Sequence, residues 1–408
     1  MSTPIKPLEA ITVLDLSRIL AGPWATQNLA DLGATVIKVE KPLQGDETRR
    51  WGPPFAHAAE GASADATYFF CCNRGKRSIC VDFTRPEGAQ VIRRLAARAD
   101  VLVENYKVGG LARYGLDCDS LRRESPRLIY CSITGFGQSG PYADRPGYDA
   151  LIQAMGGLMS VTGEPDDAPG GGPQKVGVAI VDLMAGQYAT SAILAALLER
   201  TKMGRGAHID IALLDVQVAA LANQATAWLV GGVLPQRMGS GHPSIVPYQP
   251  FACADGHVMI TIGSDRQFET FCRAAGCARL ASDPRFRTNA GRVEHRQTLV
   301  PLLSSIMSQK GCAEWIALGE AHGFPCGPVN TIDQVFADPQ VQARALMLRQ
   351  PTARYGTVTT VANPMRFDGR SANSPLPPPE LGSATEEVLK EFGYTDDEIT
   401  TLRARGAV

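Results

Sequence analysis

The feature that most constrains this chain is the alternation of short apolar runs with helical segments through its first half. Residues 11–16 (ITVLDL) read as a strand, 22–32 (GPWATQNLADL) as a helix and 35–39 (TVIKV) as a second strand. That is a βαβ unit, because parallel neighbours need a long crossover and a helix supplies it. The alternation continues with SICVDF at 78–83, a helix over 86–99, VLVEN at 101–105, a short helix around 110–114 and LIYCSI at 128–133. An α/β domain around a mostly parallel sheet is expected.

Such a start suggests a dinucleotide site, with Glu40 after the second strand as the ribose-binding acid. The turn that should carry G-x-G-x-x-G reads instead Ser17-Arg18-Ile19-Leu20-Ala21-Gly22-Pro23. Backbone could not approach a pyrophosphate there in the usual way, so a nicotinamide dehydrogenase is not expected.

In the second half, a strand of Val178, Ala179, Ile180 and Val181 leads to Asp182, and a buried helix is expected over Leu183–Leu198. A strand at 207–215 and a long helical stretch through Val230 follow, then a Gly/Pro-rich loop. PFACADGHVMITIG at 250–263 alternates around Asp255-Gly256 and reads as a hairpin. With helical patterns at 265–276, 292–309 and 312–322, it suggests a smaller α+β domain at about 225–325. Strand-like pieces from Gly327 and helices over 386–391 and 396–404 complete the chain.

With 408 residues and 44% hydrophobic content, the chain can bury a sizeable core in about two or three domains. Its 40 Lys and Arg balance 41 Asp and Glu, so no global field draws it to nucleic acid or anionic membrane, and an anionic ligand needs local cations. Leu183–Leu198 is shorter than the roughly 20 apolar residues of a membrane span. The N-terminal stretch MSTPIKPLEAITVLDLS shows neither a secretory nor an Arg/Ser-rich presequence pattern, and a cytoplasmic protein is expected. Ten cysteines without a C-x-x-C pair read as reduced, packed thiols rather than a zinc or thioredoxin-like site.

Asp182 is the one charge in Val-Gly-Val-Ala-Ile-Val-Asp-Leu-Met-Ala-Gly-Gln (176–187). By position alone it reads as a helix cap. As an ordered set, however, VLDLSRILAGP, LGATVIKVEKPLQGDETR, NRGKRSICVDFTRPEG, ADVLVENYKVGGLARYGL, PRLIYCSITGFGQSGPYADRPGYD, VGVAIVDLMAG and HGFPCGPVNT resemble the class III coenzyme A transferases. That family of formyl-CoA and carnitine CoA-transferases also contains the α-methylacyl-CoA racemases. The loop GSGHPSIVPYQPF at 239–251 resembles the succinyl-CoA:glutarate branch.

The resemblance implies a large Rossmann-like α/β domain built from segments 1–224 and 326–408, a small domain at 225–325, and an interlocked homodimer. It makes Asp182 the nucleophile that carries CoA as an aspartyl thioester, with acyl-CoA and a carboxylic acid as substrates and no metal or permanently bound cofactor. A helix N-terminus there would favour the ionised carboxylate. The CoA-binding positions carried over are Ala21, Lys41, Val81, Asp82, Phe83, Thr84, Asn105, Tyr106, Arg113 and Tyr148. Ala21 would offer a backbone N–H to the oxyanion, Lys41 and Arg113 would meet phosphates, and Val81 and Phe83 would flank the adenine. Leu20 stands where some formyl-CoA enzymes carry Gln, and Thr84 where some relatives carry Lys, with Arg85 beside it.

For the acceptor, Gly239 and Gly241 would shape the loop. Protonated His242, with Ser244 or Tyr248, would receive the free carboxylate of a dicarboxylate, unless His242 merely packs in a lid. Two other readings stand beside the transferase. A racemase needs a histidine where this chain has Tyr148, and a non-catalytic CoA-binding protein would have no need of Asp182.

Overall fold

The computed structural model describes residues 6–58 and 64–408. Residues 1–5, part of the N-terminal stretch read above for a presequence, lie outside the described residues. By its internal contacts the chain divides into two units: 1–157 with 176–225 and 340–408, and 158–175 with 226–339.

The first unit is built on six parallel strands, β1 (Thr12–Asp15), β2 (Thr35–Glu40), β3 (Lys76–Cys80), β4 (Val101–Glu104), β5 (Ile129–Thr134) and β6 (His208–Ala212). Their order is β3-β2-β1-β4-β5-β6, that of doubly wound nucleotide-binding folds. Alternate residues of one strand feed opposite layers. Val13, Val36, Val101 and Ile129 join the helices Ala21–Asp31 and Ile180–Met203, while Leu14, Ile37, Leu102 and Tyr130 join Pro86–Ala96 and the C-terminal helices Thr385–Glu391 and Asp396–Ala404. Burial on both faces is why these strands read as apolar runs rather than alternating ones. β1 pairs with both β2 and β4, so the chain leaves the sheet in opposite directions at the C-terminal ends of β1 and β4 and opens a crevice there.

The expected strand at 178–181 is not formed. The place beside β5 is taken by β6, which pairs from Tyr130↔His208 to Thr134↔Ala212, and the chain turns helical at Ile180. The helix Ile180–Met203 is long and apolar enough to cross a membrane by length and composition. Val181, Ala185, Ala189, Ile193 and Leu197 are buried in the layer described above.

The second unit carries the antiparallel sheet β7 (Tyr248–Cys253), β8 (Gly256–Thr261) and β9 (Cys326–Pro328). Helices Asp265–Ala274, Arg296–Met307 and Cys312–His322 pack around Phe251, Val258, Phe268, Phe271, Leu303 and Trp315. The unit begins its main segment at 226, close to the expected 225, but differs from the expected bounds in two respects. Residues 158–175 belong to it rather than to the first unit, and it runs to 339 rather than 325. Cys326–Pro328 accounts for the latter, because it pairs with Val258–Ile260 instead of returning to the large sheet.

Gly186 lets the helix Ile180–Met203 cross closely over the start of Ala21–Asp31. A Cβ there would stand 2.6 Å from Ala21 O and 3.1 Å from Trp24 Cβ. Intrinsic propensity favours Gly186→Ala by about 1 kcal/mol, but backbone cannot yield as a flexible side chain would. Gly186→Ala is expected to destabilise the protein by about 1–3 kcal/mol in denaturant unfolding. A stabilised variant would contradict this packing.

Candidate active site

The crevice begins where β1 ends. Asp15, at the last position of β1, is fully buried and accepts from Ser17 N–H (3.0 Å), Thr26 Oγ1 (2.6 Å) and Lys76 Nζ (3.0 Å). Ile19 then adopts φ +72°, a left-handed conformation unusual for a β-branched residue and costing about 1–3 kcal/mol. Its surroundings over-determine it. Ile19 N–H points at the Asp46 carboxylate (3.2 and 3.3 Å), while Arg18 N–H donates to Asn105 Oδ1 (2.9 Å) and Asn105 Nδ2 donates back to Arg18 O (2.7 Å). Asp46 is held in turn by buried Lys38 (2.9 Å). Burial opposes both charges, but each outweighs that penalty for the other: Asp46 is held down to about 2 and Lys38 well above its ordinary range.

Glu40 has no ribose-binding role available. It is buried, accepts from Arg49 Nε (2.8 Å) and Nη2 (2.7 Å), and from Ser78 Oγ (2.6 Å). It braces the wall of a cavity of about 630 Å³ instead.

That cavity is lined by Lys41, Val81, Asp82, Phe83, Thr84, Tyr106 and Arg113, all expected from the sequence. Phe83 packs edge-on against Tyr106 (5.5 Å between centroids) and Tyr114 (5.6 Å). Thr84 turns inward on itself, its N–H donating to Asp82 Oδ1 (3.1 Å). A second cavity of about 450 Å³ is lined by Ala21, Asn105, Tyr106, Tyr148 and Asp182, the remaining first-unit positions. The two share Arg18, Tyr106, Lys107, Val108 and Asp144, so they form one continuous crevice. Cations for phosphate oxygens and an apolar, aromatic wall for a base are thus next to a carboxylate.

Sequence reasoning gave no role to Arg18, Lys107, Asp144 or Arg145. Arg18 pairs with Glu47 and lies over the Tyr106 ring (4.7 Å). Arg18 Nε and Glu47 Oε2 are buried with no hydrogen-bond partner among the described residues. The only sequence signal was an Arg in the turn after the first strand. The helix Ala21–Asp31 has no side-chain cap, so its first N–H groups remain available to a developing oxyanion.

Asp182 is in the first turn of the helix Ile180–Met203, but it is not the cap. Asp149 Oδ2 accepts from Val181 N–H (2.8 Å) and Asp182 N–H (3.3 Å), while Asp149 Oδ1 accepts from Gln153 Nε2 (2.6 Å). The expected preference for the ionised form is therefore reversed. Burial first, then repulsion from Asp149, push Asp182 up to about 7. The helix end that should have favoured its charge is spent on the neighbouring carboxylate. The sequence reading gave Asp149 no role of its own, and its reach across 32 positions to Val181 is visible only in the structure.

Gly239, Gly241, His242, Ser244 and Tyr248 belong to the second unit. His242 N–H donates to Tyr248 O (3.1 Å), the two rings lie 5.1 Å apart, and Arg296 holds the carbonyls of His242 and Pro243 (2.9 and 2.8 Å). His242 Nδ1 accepts from Ser244 N–H (3.0 Å). With Nδ1 taken up in this way, Nε2 is the ring nitrogen left to meet another group.

An α/β crevice that sets Lys41, Arg113 and an aromatic wall beside a carboxylate of raised pKa suits group transfer from an anionic carrier. The family model for CoA-transferase family III matches residues 8–385. Succinate–glutarate CoA-transferase of Agrobacterium fabrum is 47% identical over 386 residues, spanning 95% of this chain and 96% of that protein. Succinyl-CoA:glutarate CoA-transferase of Mus musculus is 42% identical over 405 residues, spanning 99% and 91%. A crystal structure of a CAIB/BAIF family protein from Brucella suis has a TM-score of 0.84 at 47% identity, covering 95% of this chain and 99% of that one. The chain belongs to CoA-transferase family III and is an enzyme of that class, with CoA thioesters as substrates.

The raised pKa of Asp182 makes a stability prediction. Below the ordinary 3.8 the group is protonated in both folded and unfolded chains and costs nothing; between 3.8 and about 7 the unfolded chain ionises first, so the folded state loses stability as pH rises. Asp182→Asn removes this loss. Its Tm should exceed that of the wild type by an amount that grows from pH 5 to pH 7 and levels off above. A gain independent of pH, or a lower Tm at pH 8, would contradict the assigned environment.

Proposed function

We propose that this chain moves CoA from succinyl-CoA to glutarate through a covalent intermediate on Asp182. The observation that carries the reading is the likeness, across nearly the whole chain, to two transferases named for that substrate pair. The Asp182 carboxylate attacks the thioester carbonyl and expels CoA thiolate, giving an aspartyl–succinyl anhydride. The thiolate then attacks the aspartyl carbonyl, releasing succinate and leaving a β-aspartyl-CoA thioester. Glutarate attacks that thioester and releases the thiolate again. Attack of the thiolate on the glutaryl carbonyl yields glutaryl-CoA and restores Asp182. Every bond broken is matched by one formed, so no nucleoside triphosphate is consumed.

The environment of Asp182 supports this role. A carboxylate near pKa 7 is more nucleophilic when ionised than an ordinary one. Among the described residues no histidine lines either cavity, and Tyr148, 63% exposed, stands where a racemase would need a base. For the acceptor, His242 Nδ1 is held by Ser244 N–H, which leaves Nε2 to meet the second carboxylate.

To test the substrate pair, initial rates with succinyl-CoA should be compared for glutarate, succinate, acetate and butyrate, in wild type and His242→Ala. Glutarate should have the highest kcat/KM, and the substitution should reduce dicarboxylates at least tenfold more than monocarboxylates, about 1.4 kcal/mol of selective binding. Equal use of acetate and glutarate, or an equal loss for both classes, would overturn the assignment.

We further propose the interlocked homodimer that the family resemblance implies. In the second unit Trp228, Leu229, Val230, Val233 and Leu234 are 54–86% exposed, an apolar run of the kind an intimate subunit contact covers. Subunits linked in this way separate only by unfolding. Tagged and untagged folded proteins mixed for a day should give no mixed dimer; rapid exchange, or a monomer in sedimentation, would contradict it.

A further inference from the structure

The second unit brings two thiols into contact at the edge of its small sheet. Cys253 closes β7 and Cys312 opens the helix Cys312–His322. Their Sγ atoms are 2.9 Å apart, although the residues are 59 positions apart in sequence. Two hydrogen bonds pin the hairpin turn to the start of the helix on either side of the pair: Ala254 N–H donates to Lys310 O (2.9 Å), and Cys312 N–H donates to Asp255 Oδ1 (2.7 Å). Gly256 faces Cys253 across the hairpin, and its missing side chain leaves the space, since a Cβ there would be 3.1 Å from Cys312 Sγ. Both thiols are half-buried, within reach of a small reagent.

We propose that Cys253 and Cys312 are a redox modification site, closing to a reversible disulfide by exchange with a low-molecular-weight disulfide. Cys253, as thiolate, attacks one sulfur of that reagent, forming a mixed disulfide and expelling the other half as a thiolate, which takes up a proton. Cys312 gives up its proton, attacks Cys253 Sγ and expels the second half as a thiol. The protein loses two electrons and two protons, and the small disulfide becomes two thiols. The sulfurs must close from 2.9 Å to about 2.05 Å.

The geometry favours this over a metal. Asp255 stands beside the two thiols and completes a possible set of three ligands. Two thiolates on tetrahedral zinc, each with a Zn–S bond of about 2.3 Å, stand roughly 3.7 Å apart, well beyond the observed contact. Asp255 Oδ1 is already engaged by the Cys312 N–H at the start of the helix. The bond would close a long loop inside the second unit and restrict its unfolded chain, so the oxidised protein resists unfolding better. In the reducing cytoplasm expected for this chain it would be open, closing under oxidative conditions.

The full-length protein should be equilibrated in glutathione buffers of graded ratio, alkylated, digested and mapped by mass. A cross-linked peptide pair containing Cys253 and Cys312 should appear as oxidised glutathione increases and vanish with dithiothreitol, and Tm should rise with it. Cys253→Ser and Cys312→Ser should each abolish the pair and the rise while leaving CoA transfer in reducing buffer unchanged. Should a serine variant fail to fold, mapping of the wild type alone decides. Alkylation of both thiols at every ratio, separate glutathione adducts without a cross-link, or uptake of one zinc per chain that blocks their alkylation would each overturn the proposal.

Discussion

Asp149 takes the two N–H groups at the head of the helix Ile180–Met203, and the chemistry of the crevice depends on that contact. A helix start is ordinarily a place where an anion is stabilised. Here one carboxylate occupies it and a second, Asp182, is left beside it, half-buried and repelled. The same hydrogen bonds fix where the helix begins and therefore where Asp182 points relative to the crevice between β1 and β4. Structure and reactivity are thus tied at one point: the interaction that anchors the helix also raises the energy of the carboxylate. Destabilisation at a reacting group is tolerable because the surrounding sheet, buried on both faces, supplies the stability.

A second layer of charge holds the other side. Lys38–Asp46, Arg49–Glu40 and Lys76–Asp15 are ion pairs with both partners nearly or fully buried, gathered at the carboxyl ends of β1 and β2 and the start of β3. Removing one partner from such a pair strands a charge, so these pairs fix geometry more than they add net stability. What they fix is the turn 17–20, with Ile19 held at positive φ and Arg18 tied to Asn105 across the switch point of the sheet. A strained loop over-determined in this way keeps the boundary between the two cavities rigid, which a reaction that positions a thioester against a carboxylate requires.

The large sheet was legible because strands buried on both faces are written as runs of Val, Ile and Leu, and the crossover helices between them have room for no other reading. The segment 178–181 was misread for the same reason. Val-Ala-Ile-Val is apolar and β-branched, and a run that short does not separate strand from helix; the deciding partner, Asp149, comes from elsewhere in the sequence. Cys326–Pro328 was grouped with the large domain because three residues including a proline carry little signal of which sheet they join. The positions expected to face CoA came from ordered motifs, and the structure gathers them along one crevice. Arg18, Lys107 and Arg145 were not found, because a lone basic residue in a turn looks like any solvated surface charge. Nor could the sequence show that Lys38, among the apolar residues of β2, meets Asp46.

The claim on which the functional account rests is that Asp182 becomes covalently bound to CoA. The most direct test is to incubate the enzyme with succinyl-CoA alone at several pH values, quench, and determine the mass of the peptide containing residues 176–187. The account requires a CoA-sized adduct on Asp182 that hydroxylamine converts to the aspartyl hydroxamate, absent in Asp182→Asn, with a formation rate that increases as pH is raised through about 7. An adduct on another residue, or full turnover with Asp182 unmodified throughout, would contradict it.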